Sequence, residues 1–148
     1  MNDSSTPAQR LEAIATEFAE LEPRERLELL LEYADNLPPL PAGLQAEADR
    51  AAHRIAECQT PVFIWANVVD GRVRLAAEVA PEAPTVKGFV SILIDLFADA
   101  PVEQALALDG NVVQRLGLLE ALGMMRMRGL QAMQFYIRNR IRAQAAGG

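Results

Sequence analysis

Hydrophobic and polar positions alternate along this chain with two distinct periods. Thr6-Pro7 supplies a helix N-cap followed by proline at the first helical position. Leu11, Ile14, Ala15 and Phe18 then recur at i, i+3, i+4 and i+7, the stripe of an amphipathic helix. Pro23 opens a second helix with Leu27, Leu30, Leu31 and Ala34 on one face and a solvated Glu/Arg face opposite. Leu21-Glu22 is a tight turn, which makes the two helices neighbours. Leu37-Pro38-Pro39-Leu40-Pro41 ends the pattern as a stiff connector. Leu44 to Arg50 reads equally as a short helix or a loop, and Arg54 to Glu57 as a short strand.

The period then changes to two. Val62 to Val69 and Arg72 to Val79 are β-type runs separated by Asp70-Gly71, the signal of a two-residue type I′ hairpin. That turn pairs Val69 with Arg72 and Val62 with Val79. It places Val62, Ile64, Ala66 and Val68 beside Val73, Leu75, Ala77 and Val79 on one apolar face, which helices must cover. Trp65 lies on the other face, either covered by a neighbouring segment or exposed. Thr85 caps the next helix, to Asp99, which is apolar nearly all round and therefore central. Gly88 inside it costs about 1 kcal/mol relative to alanine, which suggests a close backbone approach. Asp99-Ala100-Pro101 stops that helix and starts a short one through Leu106. Asp109-Gly110 breaks the chain again, and Asn111 caps a segment holding Val112, Val113, Leu116 and Leu119. Gly129 begins the terminal helix, with Leu130, Met133, Ile137 and Ile141 in its stripe. Met124, Met125 and Met127 read as gap-filling core. The expected fold is α+β: a small antiparallel sheet of about three strands around the Asp-Gly hairpin, packed on one face by helices. It forms one domain over residues 1–148, with 1–6 and 146–148 frayed.

Composition narrows the function classes. One cysteine among 148 residues rules out an internal disulfide and fits a reducing compartment, and no secretory signal pattern is visible, so a cytoplasmic protein is expected. The net charge of −6 argues against general nucleic-acid binding. The charge is uneven: residues 1–57 hold twelve acids and five bases, while 121–148 hold five arginines and no acid. Packing of the arginines beside the acidic N-terminal helices is one reading, and a basic docking face for an acidic partner is the other.

The candidate chemistry is the thiol of Cys58. A lone cysteine is commonly a buried small hydrophobe. Here Glu57, Gln59, Thr60 and Pro61 are loop-type neighbours, and a loop–strand junction leaves a thiol partly accessible, as reactivity requires. The hairpin register carries the chain leaving Val79 past this loop. The start of the next helix, with Lys87 in its first turn, therefore comes near the sulfur, where dipole and charge favour an anion. One His and one Cys cannot build a zinc or cluster site. His53, expected at the surface, is five residues from Cys58 and on the wrong side for a hydrolase dyad unless the chain folds back. No phosphate-binding glycine loop is present.

Glu57-Cys58-Gln59-Thr60-Pro61-Val62-Phe63-Ile64 resembles the cysteine loop and following strand of the SufE family, sulfur acceptors of iron–sulfur cluster assembly. Glu20-Leu21-Glu22 to Leu40-Pro41 is similar to that family's helix with a Leu-Pro-x-Leu end. Val86-Lys87-Gly88 resembles its Val-Lys/Arg-Gly helix start, and Leu116-Gly117-Leu118 with Arg126 to Met133 its C-terminal block. The resemblance implies a fold related to the IscU-type scaffolds and a cysteine loop turned inward at rest. It implies that Cys58 accepts persulfide sulfur from a PLP-dependent cysteine desulfurase (SufS-like), stimulates that enzyme without a cofactor of its own, and delivers sulfur to the SufBCD scaffold. Lys87 and Arg126 map onto basic family positions, with Gln59 and Gly88 as further supporting residues. No membrane or nucleic-acid partner is implied, and the chain is expected to be a monomer or homodimer. Pro81-Glu82-Ala83-Pro84 departs from the family's small polar residues before the Val-Lys-Gly block, and Gly123-Met124-Met125-Arg126-Met127 from its Ser-Pro-Ser-Arg-Ser before the last helix. Two other classes are set beside this one: an interaction module that regulates an enzyme by docking alone, and a small cysteine hydrolase using His53.

Overall fold

The computed structural model describes residues 5–44, 50–108 and 110–147. Most of the Leu44–Arg50 stretch and Asp109 therefore lie outside the described residues. Helix α1, Pro7–Ala19, starts on a capping box: the Gln9 amide donates to Thr6 Oγ1 at 3.1 Å and Thr6 N donates to Gln9 Oε1 at 2.9 Å. Thr6 is thus the cap of α1 and not part of a frayed lead. Helix α2, Pro23–Ala34, has Glu22 and Glu25 in the same roles. Its buried face is Leu30 and Ala34, while Leu31 turns outward. The two helices meet where Phe18 stacks on Tyr33, with ring centroids 6.2 Å apart, and the Tyr33 hydroxyl donates to Glu17 at 2.8 Å. Burial, and then that carboxylate, push the Tyr33 hydroxyl well above its usual range.

Strands β1, Val62–Val69, and β2, Arg72–Val79, pair antiparallel with Val62 opposite Val79 and Val69 opposite Arg72. Asp70 and Gly71 both have positive φ, 54° and 76°, as a type I′ turn requires. The sheet has two strands among the described residues, not about three. The expected strand before Cys58 is reduced to one bridge, Arg54 opposite Phe63. The chain enters from a 3₁₀ turn, Arg50–His53, and the Cys58 N–H bonds back to Ile55 O, so it turns away before a ladder can form.

That 3₁₀ turn covers the second face of the hairpin. His53 stacks on Trp65 at 5.1 Å, and the Arg50 guanidinium lies 3.9 Å above the Phe63 ring while pairing with Glu78 at 2.7 Å. Trp65 is buried as a result, and so is His53, at 6% exposure. His53 is not the surface residue its polarity suggested.

Helix α3, Pro84–Phe97, is the central element, buried over Gly88–Leu93 and at Leu96 and Phe97. Pro84 occupies its first position and Ala83 its cap, so Thr85 falls inside the helix. Gly88 lets α2 pass: a Cβ there would lie 2.1 Å from Leu30 O. At the other end, Arg10 Nη1 donates to the carbonyls of Asp95, Leu96 and Ala98 at 3.1–3.2 Å and closes the C-terminus of α3. Short helices α4 (Val102–Leu106), α5 (Val112–Arg115) and α6 (Leu119–Leu122) lead to α7, Met124–Gly147. Helix α7 begins five residues before Gly129 and stays helical to Gly147, where a frayed tail was expected. No helix among the described residues is long and apolar enough to cross a membrane.

Helix α7 packs on β1, α4, α5, α6 and α3, placing Leu130, Met133, Ile137 and Ile141 in the core. Its Gln144 completes the edge of β1: Nε2 donates to Ala66 O at 2.9 Å, and Oε1 accepts from Val68 N at 2.7 Å. An unpaired strand edge is a pairing hazard, and this amide covers it. Gln144→Ala is expected to cost about 1–2 kcal/mol by leaving both backbone groups without their partner. Chemical denaturation should show a lower midpoint with an unchanged m-value.

Candidate functional site

The sulfur of Cys58 sits on a loop tied at its base. Ile55 N–H donates to Val62 O at 2.9 Å, Cys58 N–H to Ile55 O at 3.3 Å, and Ala80 N–H to Pro61 O at 3.2 Å. These bonds hold the loop against the end of the hairpin while Ala56, Glu57 and Gln59 project outward. Cys58 itself points inward and retains 9% exposure. Partial access was expected from the loop position; the thiol instead faces a cleft of about 370 Å³.

Four segments build that cleft: Glu57–Thr60 of the loop, Glu82–Val86 at the start of α3, Leu122 of α6, and Met125, Arg126, Gly129 and Leu130 of α7. The proline at the first position of α3 starts the helix sharply, so its first turn, the positive end of its dipole, forms one wall. Gly129 forms the floor. A Cβ on Gly129 would stand 3.7 Å from Glu57 O, 3.8 Å from Cys58 Cα and 4.0 Å from Cys58 Sγ, all ordinary contacts. Gly129→Ala is therefore expected to fit and to stabilise α7 by up to about 1 kcal/mol through helix propensity. Gly129→Leu should fill the space beside the sulfur, and the rate of Cys58 alkylation by iodoacetamide, relative to wild type, should fall severalfold.

Of the residues singled out from the sequence, Cys58, Gln59 and Arg126 line the cleft. Lys87 does not; it follows Val86, the last lining residue of α3. Gly88 is turned the other way, against Leu30. The lining of the cleft therefore carries one cation, Arg126, and two carboxylates, Glu57 and Glu82, where both Lys87 and Arg126 were expected. Met125 and Gly129 were missed as lining residues; their only sequence signal was position, Met125 just before and Gly129 within the block Arg126 to Met133. The segment of Glu82 and Thr85 was placed beside the loop by the hairpin register, though neither residue was singled out. Met124 and Met125 are exposed, at 63% and 75%, and only Met127 of the three is core. His53 is not among the lining residues; its ring meets Trp65, and its Nδ1 lies 3.4 Å from the Tyr136 hydroxyl. A Cys–His dyad has no basis in this arrangement.

Residues 12–141 match the family described as "SufE: Fe-S metabolism associated domain". An uncharacterised SufE-like protein of Mycobacterium tuberculosis is 38% identical over 140 residues, covering 94% of this chain and 95% of its own. An uncharacterised SufE-like protein of Synechocystis is 29% identical over 108 residues, 73% of this chain and 64% of its own. The solution structure of a hypothetical protein from Thermus thermophilus superposes with a TM-score of 0.77 at 34% identity, covering 93% of this chain and 96% of that one. The family match spans most of the chain and takes in the cysteine loop, both strands and the helices that wall the cleft, so this chain belongs to the SufE family, whose domain is associated with iron–sulfur metabolism.

Proposed function

We propose that this chain is a sulfur carrier that takes persulfide sulfur from a PLP-dependent cysteine desulfurase of the SufS type onto Cys58, stimulates that enzyme, and passes the sulfur to a SufBCD-type scaffold in the cytoplasm. The observation that carries the reading is a single free cysteine facing a cleft from a loop tied at its base. The transfer needs no oxidant. A Cys58 thiolate attacks the outer sulfur of the donor persulfide; the new S–S bond forms as the donor's S–S bond breaks, and the donor cysteine leaves as thiolate. A second thiolate can remove the sulfur by the same step in reverse. The cleft suits both halves: it leaves room beyond Sγ for an extra sulfur, and it shelters that sulfur from the oxidation that destroys exposed sulfenyl and persulfide species.

Gln59 and Arg126 support this role as the polar and cationic groups of the cleft. Lys87 and Gly88 are assigned supporting roles at one remove, Lys87 adding charge behind the first turn of α3 and Gly88 fixing where that helix lies. The test is desulfurase turnover. Cysteine consumption should rise when this chain is added and should not rise with Cys58→Ala. Equal stimulation by the two proteins would instead support a module that regulates its enzyme by docking.

A further inference from the structure

Among the described residues, no ion pair joins an arginine of α7 to the acidic N-terminal helices. Among the described residues, Glu12 takes Arg115 and Glu120 takes Arg26, and α7 packs on β1 and the short helices instead. That leaves an outward face carrying two apolar and two basic residues. Met124, Arg128, Phe135 and Arg142 are spaced by four, seven and seven residues, which on an α-helix confines them to an arc of about 40° over about 27 Å. All four are exposed, Phe135 at 65%. Residues 121–148 contain no acid, although the chain as a whole carries −6.

We infer that this face of α7 is a docking rail for a protein partner whose surface is acidic and holds an apolar recess for Phe135. The inference rests on the sulfur-carrier reading only in taking that partner to be the one that exchanges sulfur with Cys58. Three features favour it. An exposed phenylalanine flanked by arginines is the composition of an interface anchor with a charged rim. A basic face on an otherwise acidic molecule orients approach, because the partner's acids are attracted to this side and repelled elsewhere. The start of α7 also borders the site: Met125 and Arg126, next to Met124 in the chain but about 100° and 200° round the helix from it, line the Cys58 cleft. A partner seated along the rail therefore reaches the sulfur by bending round the start of α7. One phenylalanine and one methionine are too little apolar area for a membrane-surface helix, and the net charge disfavours a nucleic acid.

The experiment titrates the full chain into a purified PLP-dependent cysteine desulfurase by calorimetry and follows loading of Cys58 by intact mass. Arg128→Glu/Arg142→Glu and Phe135→Ala should each weaken binding about tenfold. Arg142→Glu should weaken it more than Arg24→Glu, which changes net charge equally on an exposed site of α2. Loading by inorganic polysulfide, which needs no docking, should be unchanged in every variant. If the variants bind and load like wild type, the rail is overturned and the carrier reading stands. If binding depends on the rail but wild type acquires no sulfur, the rail stands and the carrier reading falls. If wild type binds no desulfurase, both fall. A rail-dependent dimer in sedimentation, or rail-dependent binding to a 20-base-pair DNA duplex tighter than to the enzyme, would also overturn it.

Discussion

Cys58→Ser is expected to lower sulfur acceptance from a desulfurase at least about a hundredfold, to background, while leaving the fold intact. Cys58 is the sole thiol of the chain, and neither the serine hydroxyl nor any neighbouring lining group can form and release an S–S bond. The loop does not depend on the sulfur for its shape: its anchoring bonds are all backbone to backbone, at Ile55, Cys58 N–H and Ala80. Replacing a thiol with a hydroxyl at a site that borders a cleft should cost about 1–2 kcal/mol. Circular dichroism should therefore show the wild-type spectrum and a slightly lower melting point. Persistent mass gain on the serine variant would move the acceptor away from Cys58.

Gly88→Ala is the largest expected effect on stability. A methyl group at Gly88 would lie 2.1 Å from the carbonyl oxygen and 2.8 Å from the carbonyl carbon of Leu30. Both are backbone atoms of α2, so no side-chain rotation relieves the clash, and the two helices must separate along the most buried part of the core. Alanine's better helix propensity returns about 1 kcal/mol. Overpacking of this kind costs about 3 kcal/mol or more, so the net loss should be about 2 kcal/mol at least, and the melting point should fall by roughly 5 °C or more. Because α3 forms one wall of the cleft, Cys58 alkylation should also speed up in the folded variant. A melting point equal to wild type would mean that α2 and α3 do not approach as closely as described.

The parts of this fold written in local chemistry could be read from the chain. Helix α1 is specified by Thr6, Pro7 and the Leu11–Phe18 stripe, and β1 and β2 by two β-type runs, each with one wholly apolar face, on either side of two residues that tolerate positive φ. The central place of α3 followed from its apolar surround and from Gly88. The parts decided by tertiary contact could not be read so. Whether Arg54–Glu57 becomes a strand depends on how the preceding 3₁₀ turn docks on Trp65, and no local signal reports that. His53 is polar by type yet buried, because the indole of Trp65 stacks on it and the Tyr136 hydroxyl meets its Nδ1. Met124 and Met125 look like core by composition but stand at the very start of α7, ahead of its buried stripe. The cleft was half legible: the cysteine loop and the start of α3 are brought together by hairpin register, whereas Met125, Arg126 and Gly129 arrive from about seventy residues away by the packing of α7.

The most direct measurement is intact mass of the wild-type chain after brief incubation with a purified cysteine desulfurase, PLP and cysteine, followed by peptide mapping without reductant. A gain of one sulfur atom on the peptide carrying Cys58, removable by dithiothreitol, is the predicted result. An unmodified chain, under conditions in which inorganic polysulfide does load Cys58, would contradict it.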